Sequence, residues 1–134
     1  MRNENLICTE CYVVIPRTGY HTEEENPVAR LFWGRCIIEK AAVFSFYNKG
    51  SRIRSLIHNL KYKGIREIGF ELGRIYGLSL KSSGFTSDID LIIPVPLHQS
   101  KKRIRGFNQS ELISKGISEV TGLPVDVLSL SRIA

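Results

Sequence analysis

The apolar positions of this chain change period several times, and each change marks an element. Ile53, Leu56, Ile57 and Leu60 recur at i, i+3, i+4 and i+7, the spacing of one buried helical stripe, with bases on the opposite side. Ser51 is placed to cap that helix and Gly64 to end it. A second stripe runs through Ile68, Leu72, Ile75 and Tyr76 and fades at Ser82-Ser83-Gly84. A third, of Leu112, Ile113, Ile117 and Val120, follows Asn108 as a cap and stops at Gly122. Between the second and third helices the pattern differs. Residues 89–95 (IDLIIPV) are almost continuously apolar, which suits a central parallel strand buried on both faces and closed by Pro94 and Pro96. Residues 41–47 (AAVFSFY) and 125–130 read as further strands. From residue 89 the order is strand, basic loop, helix, strand, one βαβ unit. The expected fold is therefore α/β, a partial Rossmann-like parallel sheet with flanking helices. A single such unit rarely stands alone, so the predicted sheet is unfinished. Residues 1–35 have little periodicity, prolines at 16 and 27, and an acidic run Glu23-Glu24-Glu25, and predict an irregular module ahead of the main domain.

With 134 residues, 43% hydrophobic and 24% charged, the chain has the composition of one ordinary globular domain. No stretch approaches the roughly 18 apolar residues of a membrane span. The polar start Met1 to Asn5 precedes no apolar segment of the signal-peptide kind. The expectation is a cytoplasmic protein with no membrane partner. Three cysteines, an odd number, argue against a disulfide scaffold. Cys36, beside Ile37 and Ile38, is expected as a small buried residue. Cys8-Thr9-Glu10-Cys11 leaves three readings open: half of a zinc site, an unliganded pair, or a redox motif. The net charge of +6 is unevenly placed. Lys49, Arg52, Arg54, Lys61, Lys63 and Arg66 fall in one stretch without an acid, and Lys101, Lys102, Arg103 and Arg105 in another. Such clustering favours an anionic partner over a merely solvated surface.

The second basic stretch belongs to residues 93–109, IPVPLHQSKKRIRGFNQ. In open α/β sheets ligands bind outside the carboxyl ends of strands, which puts Pro96, Leu97 and His98 at the rim of a crevice. Gly106 permits close backbone approach, and the helix capped by Asn108 offers free N–H groups to a phosphate. Arg103 and Arg105 can grip phosphate oxygens and share one face if the loop is extended. The residues thus predict a phosphate or diphosphate site, with His98 read equally well as plain loop structure.

PVPLH, a basic stretch and then RGFNQ resemble the signature of the ComF/GntX competence family, which has the type I phosphoribosyltransferase fold. Lys61-Tyr62-Lys63-Gly64 is similar to that family's "LK-aromatic-x-G" element, and Cys8, Cys11 and Ile15-Pro16 resemble the second half of its zinc module. The resemblance implies a partial zinc-ribbon-like segment at 1–35 and an incomplete phosphoribosyltransferase-like domain at 36–134. It implies pyrophosphate contacts at Pro96, Leu97, His98 and Gln99. It matches the family's Arg-Gly-aromatic-Asn-Gln element to Arg105, Gly106, Phe107, Asn108 and Gln109, and the start of a mobile catalytic loop to Arg132. Phosphoribosyl pyrophosphate or pyrophosphate with Mg²⁺ is the implied ligand, and Zn²⁺ at Cys8 and Cys11 the implied structural metal. A link to DNA uptake is also implied, with single-stranded DNA or DNA-uptake proteins as partners. The family's acidic pair and Thr-Gly-x-Thr turn have no counterpart: Asp88-Ile89-Asp90 precedes the wrong strand, and Thr121-Gly122 ends a helix. The expectation is a chain trimmed at both ends and inactive as a transferase. Two alternatives stand beside it, a nucleic-acid-binding accessory protein of DNA uptake and a non-functional fragment. Against nucleic acid, the sequence shows no interleaved exposed aromatics of the kind that stack on bases.

Overall fold

The computed structural model describes residues 15–47 and 52–132. Among these lie a 3₁₀ turn at Tyr20–Thr22 and five α-helices: α1 (Pro27–Phe32), α2 (Arg52–Tyr62), α3 (Arg66–Ser82), α4 (Gln99–Arg105) and α5 (Gln109–Thr121).

The three helices read from apolar periodicity are α2, α3 and α5. Helix α2 buries Ile53, Leu56 and Leu60. Helix α3 buries Ile68, Leu72, Ile75 and Leu80 together with Gly69, Gly73 and Gly77. Asn108 caps α5, its Oδ1 accepting from the Ser110 N–H at 3.0 Å, and the Gly122 N–H closes the far end on the Ser118 carbonyl at 2.8 Å. The proposed cap Ser51 lies outside the described residues. Ile15, Phe107 and the apolar stripes of α2 and α3 make one core, with Phe44, Ile57, Ile65 and Leu112 packed against it.

Helices α3 and α5 approach through glycine. A Cβ at Gly73 would stand 3.0 Å from Gly116 Cα and overlap the Ile113 carbonyl. One at Gly116 would stand 2.7 Å from the Arg74 nitrogen and 2.9 Å from Gly73 Cα. Each helical glycine costs about 1 kcal/mol relative to alanine, and here the backbone contact is what it permits. The innermost residues of α5 are accordingly Ser114 and Gly116, while Leu112, Ile113, Ile117 and Val120 are only half-buried.

The predicted sheet does not form. The described residues are helical, without a strand, and the α/β expectation is corrected to an all-helical one. Of residues 89–95 and 125–130 there remains a single parallel bridge between Ile92 and Val125. In it the Ile92 N–H donates to the Pro124 carbonyl and the Asp126 N–H to the Ile92 carbonyl, both at 2.9 Å. The ladder stops there for local reasons. Pro94 and Pro96 have no N–H to continue it. Asp126 folds its own chain into a turn, its Oδ1 accepting from the Leu128 and Ser129 N–H groups at 2.9 and 3.1 Å. Leu91, Ile93, Val95, Leu128 and Leu130 are left exposed. Residues 41–47 likewise make only an antiparallel bridge, Arg17 to Ser45.

Two further differences concern the first third of the chain. Residues 20–32 are ordered rather than irregular, because Asn26 caps α1 and Pro27 opens it, where a missing N–H costs nothing. Cys36 is exposed, not buried, since its turn projects beyond the end of α1. No helix among the described residues is long and apolar enough to cross a membrane.

Candidate anion-binding clefts

The segment 96–109, expected as an extended basic loop, is mostly the seven-residue helix α4. His98 caps its start: Nδ1 accepts from the Ser100 N–H at 3.2 Å and lies 2.7 Å from the Ser100 hydroxyl. Gly106 ends it in the left-handed region at φ 82°, its N–H on the Lys102 carbonyl at 2.7 Å. No α4 residue is buried, so the helix is held by its ends rather than by packing. Phe107, buried in the core, is the main anchor. The Arg66 guanidinium lies 5.2 Å from the Phe107 ring centroid and donates to the Gly106 carbonyl at 3.3 Å. Arg105 donates to Gln109 Oε1 at 2.6 Å, and Asn108 Nδ2 to the Val95 carbonyl at 3.0 Å.

Because the segment is helical, Arg103 and Arg105 do not share a face as they would in an extended loop; residues two apart on a helix point in different directions. Helix α4 instead forms a wall between two clefts. On one side Lys101, Ile104 and Arg105 meet Lys61 and Tyr62 from the end of α2 and the Lys63-Gly64 turn, around a cleft of about 590 Å³. Among the described residues four cations line it, and no carboxylate does. Tyr62 is 71% exposed and packs against His58 with ring centroids 4.9 Å apart. Both basic stretches thus converge on one opening.

On the other side, Pro96, Leu97, Gln99, Asn108 and Arg132 line a cleft of about 340 Å³ together with Lys102 and Glu111. Arg103 lines neither cleft and is exposed. His98 caps α4, and Gln109 engages Arg105. The predicted residues are therefore brought together in part: five in the smaller cleft, Arg105 in the larger. Lys61, Tyr62, Lys63 and Lys101 were not singled out as site residues. The signal for them was present in the basic run and in the Lys61-Tyr62-Lys63-Gly64 element.

The donors do not make a magnesium site. Among the described residues Glu111 is the sole carboxylate in the smaller cleft, and it pairs with Lys115 at 3.1 Å. Both polar atoms of the Asn108 amide are engaged by backbone. A hard dication wants several free oxygens. Among the described residues no group of three or more His, Cys, Asp or Glu side chains could hold a metal, and Cys8 and Cys11 lie outside them.

The chain is 29% identical over 123 residues to the DNA utilization protein YhgH of Shigella flexneri, covering 87% of this chain and 49% of that protein. The YhgH protein of Escherichia coli K12 is 28% identical over the same length, with the same coverage. Competence protein F of Haemophilus influenzae is 27% identical over 131 residues, 90% of this chain and 56% of that protein. The chain spans about half the length of the curated relatives it matches. No protein-family profile and no solved structure matches it. The similarities support a ComF-related family, in line with the resemblance carried by PVPLH and RGFNQ.

Proposed function

We propose that this chain takes part in DNA uptake or use and holds the backbone of a single strand in the cleft between α2 and α4. The names of its relatives, DNA utilization protein and Competence protein F, support the process. The observation that carries the binding mode is the meeting of Lys61, Lys63, Lys101 and Arg105 around one opening, with no carboxylate among its described lining residues. Phosphates are held there by charge and counterions are released. Tyr62, exposed beside the cations, offers a face on which a base can stack, worth about 1–3 kcal/mol. Tyr62 stands between Lys61 and Lys63 in the chain, so at this cleft an exposed aromatic is interleaved with the bases, contrary to the expectation from sequence.

Fluorescence anisotropy with a labelled single-stranded oligonucleotide tests the reading. Affinity should fall steeply with salt, and the double variant Lys61→Glu, Lys101→Glu should weaken binding by at least about tenfold. The charge-matched control Arg35→Glu, Lys81→Glu, two exposed bases outside both clefts, should matter far less. Absence of binding at low salt would refute it.

A second reading rests on the smaller cleft, where Pro96, Leu97, Gln99, Asn108 and Arg132 meet Lys102. Pro96, Leu97 and Gln99 match the family's pyrophosphate loop and Arg132 the start of its mobile loop, so pyrophosphate or phosphoribosyl pyrophosphate is the ligand this cleft would take. A ligand that prefers the folded state raises the melting temperature. Millimolar pyrophosphate should do so for the parent chain and not for Lys102→Ala, Arg132→Ala.

A further inference from the structure

The densest group of exposed apolar side chains lies far from either cleft in sequence, in the turn that follows α1. Leu31 is 68% exposed and Trp33 56%, and Phe32, Ile37 and Ile38 are exposed with them. The turn is compact: the Trp33 N–H donates to the Arg30 carbonyl at 3.2 Å, and the Arg35 and Cys36 N–H groups both donate to the Phe32 carbonyl, at 3.0 and 3.1 Å. Every residue from 30 to 39 is exposed, so the segment stands out from the body of the molecule. Arg30 and Arg35 accompany the apolar residues, and Glu39 is the one acid of that stretch.

We propose that this turn is a peripheral docking site for an anionic lipid surface. Aromatic and aliphatic side chains at the tip, with arginines beside them, match the two requirements of interfacial binding: apolar area to enter the acyl boundary, and cations for the headgroups. Tryptophan in particular partitions to the headgroup level. Charge chooses among occupants. Arg30 and Arg35 outnumber Glu39 in this segment, so a second copy of it would be repelled, whereas a negatively charged bilayer attracts it. A membrane-spanning helix is not needed. The proposal is independent of the DNA reading, since the turn shares no residue with either cleft.

Trp33 is the single tryptophan of the chain, so its fluorescence reports on this turn alone. Titration with vesicles containing phosphatidylglycerol should shift its emission to shorter wavelength and make it quenchable by brominated acyl chains; pure phosphatidylcholine vesicles should bind at least about tenfold more weakly. The charge-neutral pair Leu31→Ser, Ile37→Ser should weaken partitioning by about tenfold or more, both side chains being exposed and so removable without cost to the core. The cleft variant Lys61→Glu, Lys101→Glu should keep the Trp33 shift while losing the oligonucleotide. Four results overturn the proposal: no shift with anionic vesicles, equal partitioning to neutral ones, a shift that follows the cleft charges, or a shift with protein concentration in the absence of lipid, which would mark self-association.

Discussion

The Tyr76 hydroxyl is buried and finds no hydrogen-bond partner among the described residues. Its ring packs against Phe44 at 4.9 Å and edge-on to His21 at 6.2 Å. Burial pushes its pKa from 10.0 up to about 12. An acid whose folded pKa is raised holds its proton more tightly in the folded state, so this contribution is intact below pH 10 and is lost as pH rises toward 12. Tyr76→Phe should therefore flatten the loss of stability over that window, followed by urea denaturation at stepped pH. At neutral pH it should leave stability unchanged or raise it by up to about 1 kcal/mol, because an unsatisfied polar group is removed. Asn26 is the opposite case. Fully buried, it accepts from the Ala29 N–H at 2.9 Å and donates to the carbonyls of Tyr20, Glu23 and Ala41 at 3.1, 3.0 and 2.6 Å. One side chain thus joins the 3₁₀ turn, α1 and the segment before Phe44. Asn26→Ala should cost about 2–3 kcal/mol, the loss of a cap and of several buried partners. Asn26→Asp should cost more, since it sets a carboxylate against three carbonyl oxygens. The same denaturation midpoints decide the order.

Between elements, the α3–α5 contact depends on two glycines facing each other. Gly73→Ala and Gly116→Ala each gain about 1 kcal/mol of helix propensity, but they drive a methyl into backbone that cannot yield. Both should be net destabilising by about 1–3 kcal/mol. Gly69→Ala, whose added Cβ would meet only side chains of Leu112 and Leu60 at 3.1 and 3.3 Å, should be milder. Thermal melts of the three variants test that ranking. These helices were legible because a buried stripe repeats within the helix itself. The four-residue glycine spacing on α3 was visible too, but its meaning needed the partner helix. The strand readings failed for the converse reason. Residues 89–95 are apolar enough for a central strand, yet a strand exists only through its neighbours, and the prolines and the Asp126 turn leave room for one bridge. Helix α4 left no trace in the apolar pattern because it buries nothing. Helix α1 did leave one, in Asn26-Pro27, a cap followed by a proline at the first helical position.

At the scale of the molecule, the candidate site is a product of folding more than of composition. Residues 93–109 could be picked out from sequence as phosphate-seeking. That Arg105 would face Lys61 across one cleft while Lys102 faces Arg132 in another could not, because it follows from α4 being helical and from α2 ending beside it. If binding of a polyanion depended only on the net charge of +6, any folded variant with the same charge would bind equally well. If it depends on convergence, loosening the anchor of α4 should weaken it at constant charge. Phe107 is that anchor, buried in the core beneath the Arg66 guanidinium. Phe107→Leu keeps an apolar side chain of smaller volume, so the fold should survive with a loss of about 1–2 kcal/mol, checked by circular dichroism and a melt. Oligonucleotide affinity at low salt should nevertheless fall severalfold. Its dependence on salt should also become shallower, because fewer cations reach the same strand together. An unchanged affinity and slope in a folded Phe107→Leu chain would mean that the bases act as dispersed surface charge, and the cleft would lose its claim to be a site.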